Sequence, residues 1–307
     1  MSAPRRVFAV VVNWNGGARM NLDCLHSLAS EGIGPRSVVF VDNASEDGSL
    51  DEVKFQNPGL HVVENAENLG FAEGANQGLR RALQEGADAV FFINNDLTLD
   101  PGCLAQLVVF LGEHPEVGLC GPRVLDSADP RLLWAAGGEL TWRQNLTTLR
   151  GHGKPDGPDY QDNIAVDFVP GCALLGSAAV LTQLGGFDPA FFAYMEDVDL
   201  CKRAKAEGYE IALVGEASAR HAGSASTGGG YNPRRKYMMA VNSVWFVKRH
   251  GNAAAWARFL LYEVLSLPGT VLIQALRGNG RAARAKARGI FDGLRGRRVT
   301  AAAARRS

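Results

Sequence analysis

The stretch VFAVVVNWN, at residues 7–15, decides the fold of this 307-residue chain. Its apolar part, residues 7–12, is a short continuous run rich in valine, which is typical of a strand covered on both faces in a parallel sheet. Asn13, Trp14 and Asn15 end the run after about six residues, which is too short for the apolar part of a signal peptide. We therefore interpret residues 7–12 as the first strand of a buried sheet.

The alternation of strand and helix continues along the first hundred residues. Leu22, Leu25 and Leu28 recur at helical spacing after the first strand. Three further runs are predicted to be strands, at residues 37–41, 61–63 and 89–93. A helix is predicted over residues 72–85, before the last of these strands. Because short connections between such elements give right-handed crossovers, the sequence predicts an α/β fold with a doubly wound, mostly parallel central sheet and helices on both faces.

Polar residues follow three of these strands at the point where each ends. Asn13 follows the first strand, Asp42 and Asn43 follow the second, and residues 94–96 (Asn-Asn-Asp) follow the fourth. Ligands of doubly wound sheets bind at the carboxyl ends of the strands. The sequence therefore predicts a binding site at this edge.

The second half of the chain predicts further mixed elements and a loop over residues 150–162. The expected elements are a helix to Gly112, a strand at 119–125, a hairpin in LLWAAGGELTW (132–142), a strand at 166–169, a helix near 177–184 and a strand at 211–214. Residues after 231 read as helical. We expect a first domain at residues 1–230, with halves at 1–100 and 101–230, and a basic helical extension at 231–307.

Charge is distributed unevenly along a chain whose formal net charge is zero. Residues 277–307 hold ten of the 32 basic residues and only one of the 32 acidic residues, so about nine positive charges are balanced by an acidic body. Such a tail predicts an anionic partner, and a membrane leaflet is favoured over nucleic acid. The apolar segment at 253–276 contains Arg258, Glu263 and Pro268, which favours interfacial helices over a membrane span; packing against the core is the alternative.

The five cysteines include no C-x-x-C pair, so we expect reduced, mostly buried thiols and a cytosolic protein.

The chain contains neither G-x-G-x-x-G after the first strand nor G-x-x-x-x-G-K-[ST], the usual phosphate-binding motifs. Phosphates must therefore be bound in another way. Asn68, Gly70 and Phe71 begin a predicted helix, where glycines let the backbone approach a diphosphate. Asp42 could bind a uracil-like or thymine N3–H, or could simply be a turn residue.

Acidic residues cluster in FFAYMEDVDLCKR, at residues 191–203. Glu196, Asp197 and Asp199 lie together at the start of a predicted helix, where they would be stabilised by the helix dipole even without a catalytic role. Elsewhere, Asp96 and a lone His221 offer oxygen and nitrogen ligands for Mg²⁺ or Mn²⁺ beside a diphosphate. Together these residues are typical of a transferase site.

Six motifs in order make the chain resemble a known family. They are VVNWNG, VDNASEDGS, ENLGFAEGANQG, FFINNDLTLDP, GGFDPAFFAYMEDVDLCKRAKAEGY and HAGSAS, and they span about residues 7–227. The chain is similar to the family 2 glycosyltransferases of GT-A fold, in particular the rhamnosyltransferase-like branch. The resemblance covers the C-terminal helices only loosely. It implies that residues 1–230 are a GT-A glycosyltransferase domain whose nucleotide-binding half is 1–100 and whose acceptor and catalytic half is 101–230.

The resemblance implies roles for individual residues. Asn94 to Asp96 stands where the family has its D-x-D metal motif, with Asn in place of the first Asp, and His221 matches a histidine that can complete the metal site. Asp197 matches the general base, and Glu196 is expected to orient the acceptor. Asn13 and Asp42 would contact the base or ribose. The full set expected to bind substrate is Asn13, Asp42, Asn43, Asn68, Gly70, Phe71, Asn76, Asn94, Asn95 and Trp134.

These roles imply an inverting, metal-dependent transferase at the inner face of the plasma membrane. The leading donor is dTDP-L-rhamnose and the acceptor a lipid-linked or cell-envelope glycan; UDP-galactofuranose, UDP-N-acetylhexosamine and GDP-mannose stay open as donors. A non-catalytic glycan-binding or scaffold subunit is the alternative from another class. A sugar-nucleotide pyrophosphorylase is disfavoured, because Asn13-Trp14-Asn15-Gly16-Gly17 lacks the basic residues that such a loop needs.

Overall fold

A computed structural model describes residues 6–143, 145–222 and 232–302. Its main strands and helices alternate as the sequence predicts. The strands are β1 (Val7–Asn13), β2 (Val38–Asp42), β3 (His61–Glu64), β4 (Ala89–Asn94), β5 (Leu97–Leu99), β6 (Val117–Asp126), β7 (Leu133–Ala135), β8 (Gly138–Leu140), β9 (Thr147–Leu149), β10 (Ile164–Ala165), β11 (Ala173–Ser177) and β12 (Glu210–His221). The helices are α1 (Ala18–Ser30), α2 (Ser49–Gln56), α3 (Phe71–Gln84), α4 (Cys103–Glu113), α5 (Ala178–Leu184), α6 (Glu196–Ala206), α7 (Pro233–His250), α8 (Ala253–Phe259), α9 (Leu267–Leu276) and α10 (Gly280–Leu294).

One large mixed sheet forms the centre of the molecule, in the order β10-β12-β6-β11-β4-β1-β2-β3. The block β4-β1-β2-β3 is parallel, and so is the pair β12-β6. Strand β11 lies between these two blocks and is antiparallel to both of its neighbours. The expected mostly parallel α/β sheet is confirmed.

The register of the parallel strands brings polar residues together at one edge. Val12 of β1 lies opposite Asn94 of β4, and Asn13 lies opposite Asp42 of β2. Strand β1 is flanked by β2 on one side and β4 on the other, so the direction of winding reverses at β1 and β4. This is the point where a doubly wound sheet opens a crevice for ligands.

Helices cover both faces of the sheet. Side chains alternate along β1, so that Phe8 and Val10 join one apolar cluster with α3 and α6, and Ala9 and Val11 join another with α1 and α4. Burial on both faces accounts for the continuous apolar runs in the sequence. All five cysteines are buried and unpaired, as expected.

Four sequence expectations differ from the structure. The stretch at 132–142 does not form its own hairpin: β7 pairs with β6, and β8 pairs with β9. The backbone changes direction at Gly137 (φ +74°), between β7 and β8. Strand β11 was missed, since a five-residue apolar run carries no periodicity that separates strand from helix. The strand expected at 166–169 lies earlier, as β10, and β12 extends well beyond residue 214.

The C-terminal helices combine core packing with an exposed apolar surface. Helix α7 contributes Val244, Phe246 and Val247 to the core cluster of α3 and α6, and α10 adds Ile290. In Ala253–Leu276, α8 continues through a π-helical stretch (Leu260–Leu265) towards α9. By length and composition this segment is able to cross a membrane, whereas the sequence analysis favoured interfacial helices because of Arg258, Glu263 and Pro268. Its outward leucines are exposed, up to 82% at Leu276.

Candidate active site

A cavity of about 300 Å³ lies at the carboxyl ends of β1 and β4, in front of the first turn of α6. Most of the residues expected at the site line it. These are Asn43, Asn68, Gly70, Phe71, Asn94, Asn95, Asp96, Trp134, Glu196, Asp197 and His221. Residues from six separate segments of the chain therefore converge on one space.

Three expected substrate-binding residues lie outside the cavity lining. The Asn13 side chain is fully buried: its Nδ2 donates to Asp42 Oδ1 (2.8 Å), and its Oδ1 accepts from Asn21 Nδ2 and Asn95 Nδ2. Asp42 also accepts the backbone N–H of Ser45 at 2.9 Å. These two residues therefore form a polar support beneath the cavity floor.

Asn76, the third of them, joins α3 to the turn before the acidic helix. Its Nδ2 donates to the Phe187 carbonyl oxygen (2.8 Å), and its Oδ1 accepts the Phe187 N–H (2.9 Å). Both polar groups of the buried amide are used in this link. The geometry gives Asn76 a positioning role.

The acidic pair occupies the first turn of α6. Asp197 Oδ2 accepts the Gly171 N–H (2.9 Å) and Oδ1 accepts the Val198 N–H (2.8 Å), which fixes the carboxylate. Burial raises the pKa of Asp197, and the two N–H groups oppose that shift. Burial, followed by repulsion from Asp197, raises the pKa of Glu196 well above its usual range. Glu196 Oε2 is buried without a hydrogen-bond partner in the described chain, so it is free to meet a ligand.

A strained turn precedes α6 and positions Glu196 and Asp197 at the cavity. Phe192, Tyr194 and Met195 all have positive φ, between +61° and +72°, a region that non-glycine residues seldom adopt. Asn242 of α7, fully buried, holds the turn: its Nδ2 lies 2.6 to 2.9 Å from the carbonyl oxygens of Phe191, Ala193 and Tyr194.

Asp199 has a different role from the helix cap that its sequence position allows. Its carboxylate is fully buried and accepts from Arg203 Nε (2.7 Å) and His250 Nε2 (2.8 Å), with Arg249 Nε at 3.3 Å. Burial alone would raise the pKa of Asp199, but these three partners together hold it below its usual value. Asp199 thus ties α6 to the end of α7.

Asp96 and His221 form the second chemical centre of the cavity. His221 Nε2 lies 3.0 Å from Asp96 Oδ1, both side chains are buried, and the Trp134 ring packs edge-on against the imidazole at 4.5 Å. The described residues contain no group of three metal-binding side chains. A carboxylate beside an imidazole whose Nδ1 is buried without a partner fits a divalent cation that takes its other ligands from phosphate and water.

The turn before α3 closes the cavity on the opposite side. Asn68 Oδ1 accepts the Gly70 N–H (2.8 Å), and Asn43 Nδ2 donates to the Gly70 carbonyl oxygen (3.0 Å). Gly70 has φ +87°, and a Cβ on it would lie 2.5 Å from the carbonyl oxygen of Phe192. Only glycine lets this turn and the acidic turn approach so closely.

Several lining residues escaped the sequence reasoning. Trp14 lies within a quoted motif but was not chosen as a site residue, and Gly171 precedes a strand that was missed. Arg234 and Arg235 begin α7, outside the part of the chain that the motifs cover well, although a pair of adjacent arginines was a readable signal. Most of the motif HAGSAS, from residue 223 onward, lies outside the described residues.

The chain is similar to known proteins in sequence and in structure. The family described as "Glycosyl transferase family 2" matches residues 9–180, more than half of the chain. An N-acetylglucosaminyl-diphospho-decaprenol L-rhamnosyltransferase of Mycobacterium tuberculosis (strain CDC 1551 / Oshkosh) is 28% identical over 66% of this chain and 71% of its own length.

Two further proteins are similar to the chain. The low-salt glycan biosynthesis hexosyltransferase Agl10 of Haloferax volcanii is 25% identical over 64% of this chain, which spans 62% of that relative. The structure of the mannosyltransferase PcManGT from Pyrobaculum calidifontis, in complex with GDP-Man and Mn²⁺, superposes with a TM-score of 0.60 at 19% identity, over 96% of this chain and 88% of the other.

Proposed function

Because the chain belongs to the family 2 glycosyltransferases, and is a glycosyltransferase of GT-A fold, we propose that it catalyses an inverting, metal-dependent transfer. In this proposal a sugar moves from a nucleotide diphosphate to a hydroxyl of a lipid-linked or cell-envelope glycan. The observation that carries it is the meeting of two centres in one cavity: the carboxylates of Glu196 and Asp197, and the Asp96–His221 pair.

Asp197 is the general base of this mechanism. Its carboxylate is oriented by the N–H groups of Gly171 and Val198, and the raised pKa makes it a better proton acceptor than an exposed aspartate. It takes the proton of the acceptor hydroxyl as that oxygen attacks the anomeric carbon from the face opposite the diphosphate. General-base assistance of this kind contributes about 10²- to 10⁴-fold to the rate.

Glu196 orients the acceptor, because the residue lines the cavity and its buried Oε2 has no protein partner among the described residues. Its raised pKa favours the protonated form, which can donate a hydrogen bond to a sugar hydroxyl. Repulsion between the two neighbouring carboxylates favours one proton on the pair, and the proposal assigns that proton to Glu196 and the role of base to Asp197.

Asp96 and His221 are the residues that would hold a divalent cation. When bound, Mg²⁺ or Mn²⁺ would neutralise charge on the departing diphosphate. Trp134 keeps the imidazole ring in place, and the Asp96–His221 contact holds the two ligands side by side before any cation binds. Asn94 lines the same wall and is proposed to contact the donor rather than the cation.

The donor proposed first is dTDP-L-rhamnose, supported by the rhamnosyltransferase relative, whose name also suggests a sugar linked to a polyprenyl diphosphate as acceptor. The protein would then work in the cytoplasm at the inner face of the plasma membrane. The exposed leucines of Ala253–Leu276 and the basic residues after it support a peripheral contact with an anionic leaflet.

The experiment that tests this function supplies the purified full-length protein with dTDP-L-rhamnose, UDP-galactofuranose, UDP-N-acetylglucosamine or GDP-mannose. A short polyprenyl diphosphate carrying N-acetylglucosamine serves as acceptor, with Mg²⁺, Mn²⁺ or EDTA. We expect a single donor to be transferred with inversion, and Asp197→Asn to lower kcat by at least about a hundredfold while donor binding persists.

A matched control is Asp167→Asn, which removes a carboxylate that pairs with Lys205 outside the cavity. It should keep full activity. Transfer of a UDP- or GDP-sugar instead of the rhamnosyl donor would change the donor assignment alone. Failure of every donor to bind would support the non-catalytic alternative.

A further inference from the structure

Two arginines from the C-terminal extension project into the cavity of the glycosyltransferase domain. Arg234 and Arg235 begin α7, and both line the same space as Asp96 and Asp197. Asn232 caps the helix by accepting the Arg234 backbone N–H at 2.8 Å, which fixes the first turn. The position of the two side chains therefore follows from the start of α7.

Neither guanidinium has a carboxylate partner in the described residues. The Arg234 guanidinium lies 5.2 Å from the centroid of the Trp14 ring, and that of Arg235 lies 5.8 Å from the Tyr194 ring. The Nε of Arg235 is buried without a hydrogen-bond acceptor. These cation–π contacts leave N–H donors of the two groups unused, and an unsatisfied buried donor is unfavourable until a ligand accepts from it.

The start of α7 carries one further basic residue. Lys236 follows directly in the sequence, and burial, then Lys286 and Arg235, lower its pKa, while Glu263 opposes that shift. Lys236 lines a separate small cavity. The free N–H groups of the first turn of α7 add to the positive potential. The cavity thus carries acids on the wall of α6 and cations on the wall of α7.

We propose that Arg234 and Arg235 form a diphosphate-binding subsite in which the guanidinium groups bind phosphate oxygens directly. Guanidinium matches phosphate through paired N–H donors, which a lysine ammonium cannot reproduce. The subsite makes α7 part of the substrate-binding machinery, so the C-terminal extension completes the site. The identity of the bound diphosphate rests on the proposed function, since both the donor nucleotide and a polyprenyl-linked acceptor carry one.

Direct binding measurements on the full-length protein in EDTA test the subsite without relying on turnover. Inorganic pyrophosphate is the probe of the shared chemistry. We expect Arg234→Gln and Arg235→Gln each to weaken pyrophosphate binding by about tenfold, and Arg235→Lys to lie between Arg235→Gln and the wild type. The control Arg131→Gln removes a guanidinium that is 88% exposed and outside the cavity, and it should bind like the wild type.

Two further probes distinguish the sources of the diphosphate. A loss of dTDP or UDP affinity with unchanged binding of farnesyl diphosphate assigns the subsite to the donor, and the reverse assigns it to the acceptor. Thermal melting of each variant separates a lost contact from a damaged fold. Arg235→Lys is the conservative variant, because it keeps the positive charge and most of the packing.

Pyrophosphate affinity that is equal in the wild type and in both glutamine variants, or undetectable in the folded wild type, overturns the subsite. A different result separates the two proposals. If pyrophosphate binding depends on both arginines while no nucleotide sugar binds or reacts, the subsite stands and the proposed transferase function fails.

Discussion

The side-chain amide nitrogen of Asn242 lies 2.6 Å from the carbonyl oxygen of Phe191, which joins the C-terminal helix α7 to the turn that carries the acidic pair. The same nitrogen reaches the carbonyl oxygens of Ala193 and Tyr194. Three residues of this turn have positive φ, so the turn needs support from outside. Helix α7 therefore helps to set the position of Glu196 and Asp197.

Replacing Asn242 with alanine should release the turn. Three carbonyl oxygens, of which that of Phe191 is buried, would lose the amide group that they share, which should lower the free energy of unfolding by about 1 to 3 kcal/mol. We expect kcat to fall more than the donor KM rises, since the acidic pair moves while the turn before α3 stays. Thermal unfolding and steady-state kinetics measure both effects. Ser243→Ala, the buried polar neighbour, is the control; an equal loss of kcat in that variant would contradict the role of Asn242.

The sequence predicted the first half of the sheet and most of the cavity lining because that information is local. A valine-rich run followed by a polar cluster identifies a parallel strand and its carboxyl end, so Asn43, Asn94 and Asp96 could be chosen correctly as neighbours of the cavity. The pairing of parallel neighbours in the sheet then aligns those carboxyl ends at one edge.

The rest depended on contacts between distant segments. Asn13 and Asp42 were chosen for their position at strand ends, but their side chains bond to each other and to the layer below the cavity. Asp199 stands in the first turn of α6, but besides Arg203 of the same helix its partners are His250 and Arg249, some fifty residues away at the end of α7. Arg234 and Asn242 reach the site only because α7 packs against α6, and no local pattern encodes that packing.

Gly70 should be intolerant of a side chain for two separable reasons. Its φ of +87° disfavours any L-residue, and a Cβ would clash with the carbonyl oxygen and ring of Phe192. Gly32 provides the matched control, because its φ is +84° and nothing lies within 4 Å of an added Cβ. We expect Gly32→Ala to cost about 1 to 2 kcal/mol of stability with normal kinetics.

Gly70→Ala should cost more stability than Gly32→Ala and should also lower activity, because the acidic turn must shift. Denaturant unfolding and kinetics on both variants measure the difference. Equal stability losses with equal activity would mean that the close approach of the two turns has no role in the site.

Glu196→Gln should stabilise the protein at neutral pH. The folded state holds the proton of Glu196 more tightly than the unfolded chain does, because burial and Asp197 raise its pKa. Stability therefore falls as pH rises from the ordinary carboxyl pKa of about 4.3 to the raised pKa, by about 1.4 kcal/mol for each pH unit between these two values. The glutamine variant lacks this penalty. The gain in free energy of unfolding of Glu196→Gln over the wild type should be absent near pH 4 and should reach its full value above the raised pKa of Glu196.

Thermal unfolding of both proteins across pH 4 to 8 tests this sign. Glu207→Gln, an exposed carboxylate just past the end of the same helix, should show no such pH-dependent gain. A Glu196→Gln variant that is less stable than the wild type at every pH would indicate that the carboxylate is ionised and stabilising in the folded state.

Asp96→Ala should lose affinity for Mn²⁺ measured directly by electron paramagnetic resonance. Asp96 is the one carboxylate of the proposed cation site, and a nucleoside diphosphate supplies further oxygen ligands, so we expect binding in the presence of UDP or dTDP to weaken by at least about tenfold. His221→Gln should have a smaller effect. Asp129→Asn, which removes an exposed carboxylate paired with Arg131, is the control; equal Mn²⁺ binding in all three variants would remove the cation site from Asp96.

The apolar segment Ala253–Leu276 should lie along a membrane surface and not cross it. Glu263, near its middle, is 2% exposed, and its carboxylate pairs with Lys286 Nζ of α10 at 2.8 Å and accepts the Asn145 N–H. A span across the bilayer would pull this pair apart and carry a carboxylate into hydrocarbon, which costs several kcal/mol. The pair instead holds one side of the segment against the protein.

The opposite side remains free to meet lipid, so substitution there gives a cleaner test than truncation. Removing residues 277–307 would also remove α10, which buries Ile290 against the core. Loss of membrane binding in such a truncated protein could then not be told apart from unfolding. Leu265→Asp with Leu272→Asp changes two exposed positions, 72% and 62% exposed, without touching the core. We expect this double variant to stop co-floating with vesicles of anionic lipid, while Phe55→Asp, at an equally exposed apolar residue on α2, floats like the wild type. Unchanged flotation of the double variant would mean that Ala253–Leu276 is not the surface that meets the membrane, since two carboxylates cannot enter the acyl boundary without a large loss of binding energy.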